Sequence, residues 1–431
     1  MVCSYRLTWE QLYDDLYDAY REARKHKASK PYVRCFEENL DENLKELCDE
    51  LFNRTYKPLP SSCFIITEPK KREVFAAEFR DRVVHHLYYN YTHQIFERTF
   101  IHDTYSCIKG RGTHFGIERL QRHIRKESRN YRVPCHVMYG DIRGYFMHII
   151  RIKLLNICMR TLDKMSMHKI SKHREERWKD LVDMEFVAYL TCEIVMLNPI
   201  NGCVMIGSPS EWADLPHNKS LYHSPEGCGL PIGNLTSQLF SNVYLNMMDQ
   251  YIKRVLKCSG YARYVDDFRI VCRLKVKLLE IVPKIRVFLL VELGLSFHDG
   301  KMKIVSVWHG VEFLGAWLKP HRVYASRDTV VRIRIKLRVL ARTANLDHWY
   351  SALNSYCGVL SHWNNFNLRK KLLNENPEFG KYGMFTVDYK KYHAVRKSED
   401  AAALKTLNRS HRSSQNTITL FCRANRRRSM E

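Results

Sequence analysis

Residues 261–273, YARYVDDFRIVCR, place two adjacent acids between runs rich in aromatic and β-branched residues. That pattern predicts strand, tight turn, strand. Asp266 and Asp267 would sit at the bend, where acids turn the chain and concentrate negative charge at one exposed point. A merely solvated Asp-Asp turn would look the same, so the surroundings have to decide.

Asp141 supplies a partner. It ends a short alternating strand, CHVMYGD at 135–141, and precedes Ile142-Arg143-Gly144-Tyr145-Phe146. Taken alone it is a strand-end turn acid. Beside Asp266 it would complete a carboxylate cage for hard divalent cations. Two such ions close together can activate a hydroxyl nucleophile and stabilise the leaving group of an in-line displacement. Between the acids, Gly227 to Gln238 reads GCGLPIGNLTSQ, a glycine-rich loop running into an apolar helix. Such a loop lets backbone approach a base pair or a phosphate; equally, it is a helix cap with a flexible lead-in.

Lysine and arginine number 70 against 46 acidic residues, a formal +24 that favours polyanionic partners. Nucleic acid comes first, since phosphate contacts dominate its binding. An anionic membrane surface competes, but no long basic amphipathic stretch stands out. At 45% hydrophobic, the 431-residue chain can bury real cores, in two or three subdomains. No apolar run is long enough to cross a bilayer. The first 27 residues are a charged helix pattern without the apolar core of a signal peptide. The 14 cysteines are scattered singly with no C-x-x-C pair. That argues against a zinc ribbon or a secreted disulfide scaffold and fits reduced thiols in a cytoplasm.

Leu12, Leu16 and Tyr20, then Leu40, Leu44 and Leu51, fall at helical spacing, so residues 5–57 read as helical up to Pro58-Leu59-Pro60. Residues 63–79 predict a strand, a basic turn and a second strand. Helix is expected over 80–99, about 148–197, 235–257 and 276–294, and the remainder to about 373 is helical and basic. Residues 198–229, rich in Pro, Gly, Ser and Asn, read as a long insertion loop. The tail from 396 ends in RRRSME and reads as disordered. The strands near 135–141, 261–273 and 303–318 are expected to share one antiparallel sheet with helices on one face, an α+β arrangement.

In order, these segments resemble the motifs of reverse transcriptases. Asp141 to Phe146 resembles motif A, Leu230 to Gln238 motif B, and Tyr264 to Asp267 motif C. Leu293-Gly294-Leu295 with Lys301 resembles motif D, and Gly310-Val311-Glu312-Phe313-Leu314-Gly315 the segment leading to the primer grip. Upstream, Pro69-Lys70-Lys71-Arg72 and Arg80-Asp81-Arg82 look like fingers motifs, and Thr104-Tyr105-Ser106-Cys107 with Lys109-Gly110-Arg111-Gly112 resembles the segment before motif A. Several are weak singly; the order makes them specific over roughly 60–320.

The resemblance implies a right-hand polymerase: an N-terminal helical extension (1–60), fingers (61–134), a palm (135–320) with a long insertion at about 151–229, a helical thumb (321–395) and a basic tail (396–431). It implies RNA-directed DNA synthesis with two Mg²⁺ ions, for which Mn²⁺ can substitute. Asp141, Asp266 and Asp267 would be catalytic and hold the metals, with the Ile142 carbonyl as a backbone ligand. Phe146 would be the steric gate against a ribose 2′-OH; as residue chemistry alone it is also an ordinary core aromatic. Lys70 and Arg72 would clamp the triphosphate, and Lys301 would donate a proton to pyrophosphate. Ile232, Gly233 and Gln238 would border the nascent pair. Residues 328–373, with Ser355-Tyr356, His362-Trp363 and Leu368-Arg369-Lys370-Lys371-Leu372, suit a thumb that grips a duplex through its phosphates, or simply a helical packing face.

Motif B departs from the retroviral and intron pattern: Pro231-Ile232-Gly233 stands where those carry Pro-Gln-Gly. The form Ile-Gly-x-x-x-Ser-Gln resembles the enzymes of diversity-generating retroelements and their bacterial, defence-associated relatives, and implies low fidelity. The expected partners are a structured RNA template, such as a dedicated non-coding RNA, a DNA product or primer, deoxynucleotides and an accessory protein, in a bacterial or phage-encoded cytoplasmic setting with no membrane. Oligomeric state stays open. The rivals are a maturase, for which no C-terminal zinc-endonuclease pattern is present, and a catalytically silent RNA-binding protein, against which the intact acids count. RNA-dependent RNA synthesis and nuclease chemistry stand further back.

Overall fold

The computed structural model describes residues 5–394, apart from Pro69, Lys172, Ala344 and Asn345. The expected disordered tail lies outside the described residues. The chain divides into two compact units, residues 1–304 and 305–431.

The first unit opens with three helices, α1 (Trp9–Arg24), α2 (Pro31–Glu38) and α3 (Leu40–Phe52). Thr8 starts α1 with a reciprocal capping box to Gln11. Its Leu12, Leu16, Ala19, Tyr20 and Ala23 fall on one face and are buried. The hairpin of β1 (Ser62–Ile66) and β2 (Arg72–Ala76) follows, then α4 (Phe79–Glu97) and α5 (Thr113–Glu127). Next come β3 (His136–Gly140), α6 (Arg151–Ser166), the one-turn α7 (Trp178–Leu181), α8 (Met184–Met196) and the two-residue β4 (Val204–Met205). α9 (Leu235–Gln250), β5 (Gly260–Tyr264), β6 (Asp267–Cys272) and α10 (Lys275–Leu293) complete the core.

The continuous helix expected over 148–197 is broken. Residues 167–177, MHKISKHREER, carry almost no apolar periodicity, and the chain restarts as a helix where Asp183 accepts the Phe186 N–H (2.9 Å). The insertion that follows is pinned to the first hairpin. β4 pairs in parallel with β1, and buried Glu73 on β2 accepts hydrogen bonds from Trp212 Nε1 (2.9 Å), Ser220 Oγ (2.9 Å) and the Leu221 N–H (2.6 Å).

The central sheet has the order β5-β6-β3-β7, with β7 (Lys303–Ser306) at the boundary between the units. β3 and β5 both run antiparallel to β6. The expectation that all of 303–318 joins this sheet is corrected: only 303–306 does. β8 (Val311–Phe313) and β9 (Ala316–Lys319) form their own hairpin with β10 (Arg322–Ala325). The reason is local. Leu314 and Gly315 both have positive φ (51° and 80°), the pattern of a tight two-residue hairpin turn, which commits β8 to β9.

The second unit continues with α11 (Arg327–Ala341), α12 (Leu346–Ser361), α13 (Phe366–Asn374) and a small hairpin of β11 (Gly383–Phe385) and β12 (Tyr392–Ala394). Its core includes Ile333, Leu337, Trp349, Leu353, Leu372, Phe379 and Tyr392. Among the described residues no helix is long and apolar enough to cross a membrane.

Candidate active site

Register places the acids. β3 pairs with β6 from His136↔Cys272 to Gly140↔Phe268, so one further step sets Asp141 opposite Asp267. β5 pairs with β6 up to Tyr264↔Asp267, leaving Val265 and Asp266 as the two-residue loop. Val265 has φ +55°, while Asp266 does not have positive φ. That is the pattern of a II′ turn, whose first position normally takes glycine. A β-branched residue there is strained by about 1–3 kcal/mol. Gly140 lets the strands close at this end, since a Cβ on it would lie 2.2 Å from the Phe268 ring.

The three carboxylates are short of positive charge. Burial first, then the neighbouring Asp141 and Asp267, push the Asp266 carboxyl up to about 6. Asp267 is also raised by burial, against the pull of Arg269, which it pairs with. Asp141 takes an ion pair from Lys301 Nζ at 2.8 Å, with the lysine side chain about half exposed. The loop carrying Lys301 is fixed beside Asp141: the His298 N–H donates to the Asp141 carbonyl (2.8 Å) and the Arg143 N–H to the Ser296 carbonyl (2.9 Å). Buried Ile142 lies between these two bonds, and its carbonyl takes part in neither.

Among the described residues no three acid, imidazole or thiolate groups form a ready-made metal cage. The donor chemistry nevertheless fits hard divalent cations: the register sets three carboxylates at one end of the sheet, their mutual repulsion is incompletely offset, and Lys301 pairs with Asp141. Asp141, Asp266 and Asp267 are therefore the residues that would hold such ions.

Three of the other expected residues gather around one small cluster. Phe146 is half-buried in a 3₁₀ turn (Tyr145–His148), and both it and Ile232 pack on a small cluster of Cys63, Phe75, Met147 and Leu221. The Leu230 N–H donates to the Phe146 carbonyl (2.9 Å) and the Phe75 N–H to the Ile232 carbonyl (2.9 Å). Gly233 follows with φ +138°, and a Cβ on it would sit 2.5 Å from the Phe75 carbonyl oxygen, so only glycine fits. Gln238 is exposed on the first turn of α9. Lys70 and Arg72 stand exposed at the turn end of the β1–β2 hairpin, and Pro69 beside them lies outside the described residues.

Sequence reasoning missed the residues that support the turn. Arg263 is fully buried and bonded to Asp249, Asn242 and the Val265 carbonyl. Ser106 accepts the Val265 N–H. Arg269 reaches Asp267 and lies over the Tyr139 ring at 4.0 Å. The signal was available: arginines inside apolar strands are buried only with partners.

This chain belongs to the reverse transcriptase family. Residues 70–318 match the family profile described as reverse transcriptase (RNA-dependent DNA polymerase). The α+β palm with its acid-bearing hairpin is thus that of a right-hand polymerase. Comparison with curated proteins returned no significant match. Among solved structures, telomerase from Candida albicans in complex with the TWJ fragment of telomeric RNA is similar at 9% identity and TM-score 0.43, covering 74% of this chain and 57% of that one. Apo telomerase from Candida tropicalis is similar at 10% identity and TM-score 0.44, covering 69% and 51%. The chain thus spans little more than half the length of those telomerases.

Proposed function

We propose that this chain copies a specific structured RNA into DNA by two-metal nucleotidyl transfer, with relaxed base selection. The observation that carries the reading is the register that sets Asp141, Asp266 and Asp267 at one strained hairpin, where Lys301 and Arg269 only partly compensate their charge. Two Mg²⁺ ions, held by those acids and the Ile142 carbonyl, would supply the activated 3′ hydroxyl and a stabilised leaving pyrophosphate. Exposed Lys70 and Arg72 offer charge-assisted donors to a triphosphate. Lys301 is the proton donor within reach of the site. Phe146, which packs on the cluster of Cys63, Phe75, Met147 and Leu221, would exclude a 2′-OH by its bulk. Primer extension on an RNA template tests this. DNA product with deoxynucleotides, and none with ribonucleotides or with Asp266→Ala plus Asp267→Ala, is expected. Equal product from the double variant overturns it.

Relaxed selection rests on Ile232. Its carbonyl accepts from the Phe75 N–H and its side chain is hydrocarbon, so the side chain offers no hydrogen bond to a nascent pair, as a glutamine there would. The motif-B form resembles that of diversity-generating retroelements. Ile232→Gln should lower the error rate measured by sequencing product DNA; an unchanged rate removes the idea.

A dedicated RNA is favoured by a basic groove on the insertion side. Arg98, Arg160, Lys164, His168, Lys169 and Arg254 line a cavity of about 950 Å³ with Asn246 and Gln250. Among the described residues, only Lys169 of these basic groups pairs with an acid, Glu175. The groove lies toward the far end of α6 from Arg151, whose N–H meets Gly227 near motif B. That is about 15–20 Å from the motif-B lead-in at helical rise, room for phosphates outside the template path. A dedicated RNA suits a diversity-generating enzyme and a defence-associated one alike. Arg160→Glu with Lys164→Glu should weaken binding to the co-purifying RNA and flatten its salt dependence by about two log–log units, while extension on a short primer–template is retained. Unchanged affinity removes the groove from the RNA path.

A further inference from the structure

Val265 is the strained residue of the metal-binding hairpin, and both of its backbone polar atoms are tied. Its N–H donates to Ser106 Oγ (3.0 Å), and its carbonyl accepts from Arg263 Nη1 (2.8 Å). The two tethers meet at one atom. Ser106 Oγ donates to Asn242 Oδ1 (3.1 Å), and Arg263 Nη1 donates to the same oxygen (3.2 Å). A closed ring of hydrogen bonds thus surrounds the Val265 peptide groups.

The ring is itself clamped. Asn242 Nδ2 donates back to the Ser106 carbonyl (2.8 Å). Asp249 grips Arg263 through Nε (2.8 Å) and Nη2 (2.6 Å), and it also accepts from Tyr261 (2.6 Å) and Thr104 (2.9 Å) hydroxyls. The bidentate fork fixes the guanidinium plane and so aims Nη1 at the turn. Ser106, Asn242, Asp249 and Arg263 are all 0–1% exposed, so water does not replace any of these bonds. Asn242 and Asp249 are two turns apart on α9, the helix whose N-cap, Asn234, follows Gly233.

We propose that this ring holds the metal-binding turn in its strained conformation, which makes Ser106, Asn242 and Arg263 positioning residues for Asp266 and Asp267. The inference rests on the polymerase reading above. A β-branched residue at positive φ persists only where its surroundings over-determine it. Here both tethers end on the residue immediately before Asp266. Because α9 also follows the Ile232-Gly233 loop, one rigid helix sets both the loop and the turn.

Two measurements test it. The first is a double-mutant cycle between Ser106→Ala and Val265→Gly, since glycine takes positive φ without strain. Ser106→Ala should lower kcat about tenfold with the deoxynucleotide KM little changed, and in the Val265→Gly background its loss should shrink below about threefold. Equal fold-losses in both backgrounds overturn the proposal. The second is amide hydrogen exchange, which needs no activity. Ser106→Ala should speed exchange at Val265 by at least about tenfold while the β5–β6 ladder amides stay protected. No change at Val265, or loss of protection throughout both strands, overturns it. Absence of DNA synthesis by the unaltered protein would defeat the polymerase reading alone, and exchange at Val265 would still decide on the ring.

Discussion

Two groups of carboxylates belong to the same corner of the sheet and are treated in opposite ways. Asp103 and Asp249 are buried and fully answered by the protein's own cations. Asp249 holds Arg263, and Asp103 takes Arg119, His123 and Lys253. Burial alone would raise the Asp103 pKa, but the hydrogen bond and charge of His123, with Arg119 and Lys253, hold it well below the usual carboxylate range. Asp141, Asp266 and Asp267 have only half-exposed Lys301 and Arg269, and Asp266 is pushed up to about 6. Structural acids are neutralised internally; the others are left short of charge, a deficit that cations from solution would make good.

The largest consequence is a difference in sign. Asp249→Ala leaves Arg263 buried and uncompensated, a loss of about 3–5 kcal/mol, so its melting temperature should fall sharply. Asp266→Asn removes a repelled charge, and with EDTA present it should melt at or above the unaltered protein, with a gain of about 1–2 kcal/mol after allowing for partial exposure. It should nonetheless abolish DNA synthesis. Thermal melts with EDTA check both; a comparable loss in the two variants would erase the distinction.

Proton linkage sharpens the same contrast. The folded-state pKa of Asp103 is depressed, so its stabilisation is present above the unfolded value of about 3.9 and is lost as pH falls through the folded value. That of Asp266 is raised, so its penalty is absent below about pH 4, grows as pH rises toward 6 and is full above that. With EDTA present, the melting difference between Asp266→Asn and the unaltered protein should therefore be near zero at pH 4 and positive at pH 8. For Asp103→Asn it should be negative at pH 8 and shrink toward strong acid. Melting curves that move in parallel across this range would contradict the opposed environments.

The charge-deficient half of this contrast was legible in the sequence, and the internally neutralised half was not. Asp266-Asp267 and Asp141 announce themselves because acids at strand ends break an apolar pattern. The register that joins them follows from strand lengths. Ile232 and Gly233 were legible as a loop, but not the Ile232 bond to Phe75 or the close approach of Gly233 to it, on a hairpin more than 150 residues earlier. Ser106, Asn242 and Asp249 look like ordinary polar residues of a loop and a helix; only long-range packing brings them to Val265. The separate β8–β10 sheet escaped because Leu314, not glycine or asparagine, takes the first left-handed position of its turn. The broken helix over 167–177 escaped because a basic polar stretch reads as a solvated helix face until the Asp183 cap shows where the next helix starts.

The smallest expected effect tests whether the charge deficit is open to solution cations. Lys301 Nζ lies 2.8 Å from Asp141 and is about half exposed, so the pair is worth no more than about 1 kcal/mol. An ammonium there competes with a divalent ion for the same carboxylate. Lys301→Ala should therefore lower the Mg²⁺ concentration for half-maximal binding by up to about fivefold, measured calorimetrically without nucleotide. If Lys301 also protonates the leaving pyrophosphate, kcat falls in the same variant although metal binds more tightly. Weaker Mg²⁺ binding in Lys301→Ala would mean that the lysine organises Asp141 for the metal instead of competing with it. In that case even the charge-deficient acids would depend on an internal cation, and the contrast with Asp103 and Asp249 would be one of degree.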